Sequence, residues 1–208
     1  MAFLVDQLDR LLDLGLADLA GVDEETLADR AEGEALAGSG TLVVHPSLIR
    51  PSTLATLLQR KGKPGYVVPD MSDLCDFTPI DGVEVPLTPF YVLDGIDRGD
   101  DLRDWSPDEA LPEIASRGRT PLTISEGISW LLQRPEMLEP NHCFMTIASR
   151  KPKKTGALDK RTPGIWIGGG SPRDGKERDG APKVGWCWSG NRHSWLGIAS
   201  ADGRRPLA

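Results

Sequence analysis

No stretch of this sequence approaches the ~18 consecutive apolar residues that a membrane-spanning helix needs. Its opening, MAFLVDQLDRLLDLG, carries acidic residues where a secretory leader needs a positive flank and an unbroken apolar core. These two absences predict a cytoplasmic protein without membrane association. Cysteine is scarce as well. Cys75, Cys143 and Cys187 are single, widely spaced and odd in number, which excludes a disulfide framework and a paired-cysteine metal knuckle. An excess of positive charge is also missing: 31 acidic against 24 basic residues leave a net charge of −7, the wrong sign for general nucleic-acid binding.

What remains is a foldable composition, 39% hydrophobic and 26% charged over 208 residues, enough for one domain with a small helical annexe. The charge is segregated along the chain. Residues 1–40 carry ten acidic and two basic side chains, whereas residues 150–183 carry ten basic and four acidic ones. The sequence therefore divides into an acidic helical segment, 1–40, and a single α+β domain, 41–208, that contains a basic Gly/Lys/Arg-rich loop region at 151–183. Lys151, Lys153, Lys154, Lys160 and Arg161 form its sharpest patch, suited to an acidic protein partner.

Leu4, Leu8, Leu11, Leu12 and Leu19 recur at helical spacing with Gly15 on the same stripe, so the first twenty residues read as one amphipathic helix, which Gly15 and Asp18 weaken. Asp23 is placed to cap a second helix over 24–34. Short β-branched runs predict strands at 41–45, 66–68 and 90–93, with a helix opening at Pro51 or Ser52 between the first two. The acidic stretch 94–101 does not match a calcium loop, because Ile96, Arg98 and Trp105 fall where oxygen ligands are required. Ser106 caps a predicted helix over 108–116 that contains Pro112, which predicts a kink or early stop. Thr123 and Glu126 have capping-box spacing ahead of Ile124, Ile128, Leu131 and Leu132, a helix that Pro135 ends. Core strands follow at 143–148 and 164–167, then a terminal hairpin pairing 184–189 with 193–198. The predicted fold class is α+β: N-terminal helices with a mixed or antiparallel sheet and a C-terminal β-hairpin.

Four of the six tryptophans, Trp166, Trp186, Trp188 and Trp195, fall in the last quarter of the chain. A type II′ turn at Gly190 and Asn191 would set Trp186 opposite Trp195 and Trp188 opposite His193, all on one sheet face, with Cys187 on the other. Two readings follow. The indoles fill core, or they wall a pocket for a small planar or cationic ligand, joined by Trp166, Asn191 and Arg192. For catalysis the candidate groups are His193 as acid or base, His142 as a second polar group, and Cys187 only if the hairpin register differs. His142, Cys143, Cys187 and His193 have zinc-ligand chemistry without a diagnostic spacing, so no metal is assigned. The GGGSPR run at 168–173 lacks the Lys-Ser/Thr of a phosphate-binding loop and reads as a surface loop. His45 reads as a strand-end residue and Glu126 as a cap. The sequence names no cofactor and leaves catalysis undecided between a small-molecule-binding protein, in metabolism as an enzyme, and a noncatalytic interaction or regulatory protein using charge-segregated surfaces.

The segments KPGYVV (63–68), LCDFTPI (74–80), RTPLTISEGI (119–128), NHCF (141–144) and GWCWSGNRHSWLGIAS (185–200) together resemble a small actinobacterial domain family of unassigned function. The resemblance covers most of residues 41–200 and implies no catalytic residue, cofactor or reaction. This chain departs from that pattern in an enlarged basic, glycine-rich passage around Trp166. It also lacks a cysteine at 199–202, which weakens a metal-site reading.

Overall fold

The N-terminal leucine stripe forms helix α1 (Leu4–Asp13), which buries Leu4, Leu8 and Leu11. Gly15 ends it in a left-handed conformation, φ 86°, that a side chain would resist, and α2 (Leu16–Ala20) starts beyond it. The computed structural model describes residues 3–29, 31 and 38–207. Asp23 caps α3 (Glu24–Asp29) by accepting the Thr26 N–H at 2.7 Å. The predicted continuation of α3 to residue 34 lies largely outside the described residues. The remaining helices are α4 (Pro51–Leu54), α5 (Pro107–Ser116) and α6 (Ile124–Gln133). Pro112 does not stop α5, which runs on to Ser116 behind a complete Ser106/Glu109 capping box.

In chain order the strands are β1 (Thr41–Val44), β2 (Gln59–Arg60), β3 (Lys63–Pro64), β4 (Tyr66–Val67), β5 (Thr78–Pro79), β6 (Phe90–Asp94) and β7 (Thr120–Pro121). There follow β8 (Cys143–Met145), β9 (Ser149–Arg150), β10 (Arg161–Ile167), β11 (Pro182–Trp188), β12 (Leu196–Ile198), β13 (Ser200–Ala201) and β14 (Gly203–Pro206). Two sheets dominate. One is antiparallel throughout, in the order β1-β6-β14. The other is mixed, in the order β12-β8-β10-β11-β4, with β12 parallel to β8 and β4 parallel to β11. The fold is therefore α+β, and its C-terminal hairpin-like pair is β10 against β11, seven residues in antiparallel register.

Helix α6 lies between the sheets, packing on β1 of one and β10 of the other. Every residue from Ile124 to Leu132 is buried, as a helix with neighbours on all sides requires. Gly127 sits where it meets the mixed sheet: a Cβ there would stand 2.6 Å from Thr146 Cγ2 and 3.1 Å from Phe144 Cε2. On the other side the Ser129 hydroxyl accepts the Val44 N–H at 3.1 Å. Helix α1 closes this layer, packing on α6 and β1.

The strand pairing predicted at the C-terminus differs in one respect. Strand β11 does not pair with 193–198, because β12 lies three places away beside β8. Gly190 does not take the positive φ that a type II′ turn demands. The chain instead turns at Trp188–Asn191 through an Asn191 N–H to Trp188 carbonyl bond of 2.9 Å. It then runs beside residues 104–108, held by the Asp104 N–H on the His193 carbonyl and the Asp108 N–H on the Ser189 carbonyl, both 3.0 Å.

Candidate functional site

Residues directly opposite in an antiparallel pair point to the same sheet face. The β10–β11 register sets Trp188 opposite Arg161 and Trp186 opposite Pro163, while Cys187 faces Thr162 and Lys183 faces Trp166. The tryptophans are thereby divided, which corrects the single aromatic wall expected from sequence. Trp186 and Trp188 share one face, their rings 4.7 Å apart and steeply inclined. Trp166 lies on the other face, 6.1 Å from Trp195, which in turn lies 5.6 Å from the His193 ring. Gly185 makes room for this second group, since a Cβ there would meet the Trp166 ring at 2.5 Å.

Each group has its own cation. The Arg161 guanidinium lies 5.3 Å from the Phe77 ring centre and 6.0 Å from that of Trp186. Asp73 holds it at 2.6 Å, and the Arg161 hydrogen bond in turn keeps the Asp73 carboxyl down at about 2. On the opposite face Lys183 Nζ lies 5.5 Å from the Trp166 ring and is paired at 2.6 Å with the buried Asp174.

The predicted catalytic residues are not joined to one another by any hydrogen bond among the described residues. Cys187 comes to the Trp166 face, and burial pushes its thiol up to about 11, which leaves it un-ionised and weakly nucleophilic at neutral pH. Burial also lowers the His193 imidazole below its ordinary value, and its Nε2 is buried without a partner. No hydrogen bond joins Cys187 to His193 among the described residues. His142 belongs to a different cluster, its Nδ1 3.0 Å from Asp100 Oδ2 and 3.2 Å from Arg98 Nη2. The Cys143 thiol is buried, 3.6 Å from the Glu139 carbonyl. No group of three or more His, Cys, Asp or Glu side chains is placed to hold a metal among the described residues.

Around the 188–191 turn a surface patch forms instead. Trp188 is 48% exposed, and Leu158 and Trp105 are also exposed. Arg192, predicted as a ligand contact, is ion-paired with Glu109 beside Trp105. The arm 151–160 reaches this patch through the Ser189 N–H on the Lys160 carbonyl at 2.7 Å. Of the five predicted patch cations, Lys151 is taken up by Asp73 and Asp76, and Arg161 by Asp73 and Asp159. Lys153, Lys154 and Lys160 are exposed and form no ion pair among the described residues.

Two features escaped the sequence reading. Glu126 caps α6 as predicted, taking the Thr123 N–H at 2.6 Å, but it is also fully buried and binds Tyr91 and Arg204. Beside this network lies a cavity of about 310 Å³ walled in part by His45, Tyr91 and Ser125. The capping box was the available signal, because it marks Ser125 as the second residue of a helix whose N-terminal N–H groups need partners. None of the four C-terminal tryptophans lines this cavity.

Among the described residues no helix is long and apolar enough to cross a membrane. No curated protein and no solved structure matches the chain. Residues 10–207 match a family of unknown function, DUF5701, and the chain belongs to that family.

Proposed function

We propose that this chain is a noncatalytic interaction or regulatory protein of the cytoplasm that binds an acidic protein partner through the surface around Trp188. The observation that carries the reading is an exposed tryptophan where the arm of unpaired cations joins the sheet: Trp188 lies opposite Arg161, the Ser189 N–H binds the Lys160 carbonyl, and the exposed Leu158, Lys153 and Lys154 lie on the same arm. Exposed tryptophans flanked by charge are what protein interfaces use as anchors, whereas isolated core indoles are covered. The neutralisation of Lys151 and Arg161 by internal carboxylates rigidifies the base of the arm and leaves its outer lysines for a partner. An actinobacterial distribution of the family, with 185–200 as its signature, belongs to the same proposal.

A small planar or cationic ligand at the tryptophans is the rival reading, and its residues are now split between two sheet faces. The test is binding of a partner recovered from cells, purified, and titrated against wild type, Trp188→Ala and the Lys153→Glu/Lys154→Glu/Lys160→Glu variant. The expected result is affinity that falls steeply with salt, a loss of ~30-fold or more for Trp188→Ala, and abolition by charge reversal with the melting temperature kept. A partner indifferent to all three changes, or no partner that survives purification, refutes the proposal.

A further inference from the structure

The cavity beside α6 has a distinct composition. Its apolar wall includes Phe77, Val85, Leu87 and Ile124, and neither lysine, arginine, aspartate nor glutamate contributes to it. Its polar groups include Thr123 and Ser125 at the N-terminus of α6, together with His45, Thr78, Tyr91 and Ser149 from other elements. Ser125 is 4% exposed and lines the cavity, yet neither its hydroxyl nor its backbone N–H has a hydrogen-bond partner among the described residues. The neighbouring helix-end donors are already satisfied: Ile124 N–H by the Ser149 hydroxyl at 2.9 Å, Glu126 N–H by Thr123 Oγ1 at 3.3 Å and Gly127 N–H by the Thr123 carbonyl at 3.0 Å. The helix thus reserves one residue's worth of donors, at its positive end, for the cavity.

His45 adds a third donor. The Ser47 N–H donates to His45 Nδ1 at 3.1 Å, so Nδ1 is an acceptor and the neutral ring carries its proton on Nε2. Burial holds this imidazole below its ordinary value, which keeps the ring neutral at pH 7. Nε2 has no partner among the described residues. The nearest buried carboxylate, Glu126, does not cancel the positive helix end, because Arg204 binds it through two hydrogen bonds of 2.5 and 2.8 Å.

We propose that this cavity binds a small carboxylic acid, its carboxylate on the Ser125 hydroxyl and N–H with the His45 Nε2–H in reach, and its apolar body against Phe77, Val85 and Leu87. A monoanion fits a wall with a helix end and neutral donors but no cationic side chain; a phosphate dianion would be left without counter-charge. The volume lies at the small end of the ~300–1,000 Å³ range of ligand pockets, which suits a body of one ring or a short alkyl chain. Leu87, 89% exposed, lies on the rim and gains cover when such a body enters. This site is independent of the partner surface at Trp188, so either proposal can fail without the other.

The experiment is titration of the full chain with phenylacetate, followed by amide and histidine ring resonances, with phenylacetamide and inorganic phosphate as comparison probes. Saturable shifts centred on Ser125 and His45 are expected, with a dissociation constant on the order of 1 mM for so small a ligand. The amide binds at least ~10-fold more weakly, and Ser125→Ala, whose hydroxyl serves no protein group, weakens phenylacetate by ~10-fold at unchanged melting temperature. Binding of phenylacetamide as tight as that of phenylacetate overturns the proposal on wild-type protein alone. So do displacement of phenylacetate by equimolar phosphate, an unchanged affinity in Ser125→Ala, and an absence of saturable shifts.

Discussion

Arg204→Ala should be among the most damaging single substitutions in this protein, and the reason lies with its partner. The Arg204 side chain is 5% exposed and Glu126 is fully buried. The guanidinium donates to both Glu126 oxygens, to Thr120 Oγ1 at 2.6 Å and to the Pro121 carbonyl at 2.8 Å. Alanine removes all four bonds and leaves a carboxylate at the end of the central helix with only the Tyr91 hydroxyl and the Thr123 N–H. Breaking a buried pair from one side costs ~3–5 kcal/mol, because the remaining charge stays desolvated. At roughly 2–4 °C per kcal/mol for a chain of this size, the melting temperature falls by about 6–20 °C. Denaturant titration and calorimetry measure it, with Arg192→Ala as control. Arg192 pairs with Glu109 at the exposed surface, and its removal should cost less than ~1 kcal/mol. The double variant Glu126→Gln/Arg204→Met keeps the cap acceptor and removes both charges, so it should be more stable than Arg204→Ala alone. A cost below ~1 kcal/mol for Arg204→Ala, or a double variant less stable than the single one, would refute the reasoning.

Gly127→Ala sets helix propensity, a gain of ~1 kcal/mol, against a Cβ 2.6 Å from Thr146 Cγ2, and overpacking of ~1–3 kcal/mol should win, which chemical denaturation will show as a lowered midpoint. Acid sensitivity has a definite sign at Asp73. The Arg161 hydrogen bond lowers this carboxyl from 3.8 to about 2, so its stabilisation is complete above the unfolded value and is lost as pH falls through about 2. Melting temperatures of wild type should accordingly drop more than those of Asp73→Asn across that window, and parallel curves would remove Asp73 as a cause. Native alkylation with iodoacetamide near neutral pH should label the exposed Cys75 and spare Cys143 and Cys187, both held as thiols by burial, and peptide mass spectrometry reads the site.

The parts of this molecule that were legible in its sequence are those decided within one turn of chain. Thr123 and Glu126 stand three residues apart, and the capping box they form is present in full. The leucine stripe likewise marks the N-terminal helix, although the single helix expected over residues 1–20 is divided at Gly15 into α1 and α2. The C-terminal register was not legible, because the competition was settled by a distant strand. Gly190 and Asn191 offered a local turn, but β10 supplies β11 with a seven-residue ladder, and 104–108 takes up the chain beyond Trp188. Cys187 stays on the face opposite Trp186 and Trp188, as expected, but that change of partner brought Trp195 and His193 to Trp166 instead of to Trp186 and Trp188. The same limit hid the centre of the fold. Glu126 and Arg204 are 78 residues apart, and no periodicity announces a pair that only β14, laid beside β6, brings to the end of α6. The candidate ligand site depends on that pair. With Arg204 holding the Glu126 charge, the first turn of α6 presents Ser125 to the cavity as a net positive end. Arg204→Ala should therefore weaken phenylacetate binding even in the fraction that stays folded, through a residue that does not line the pocket.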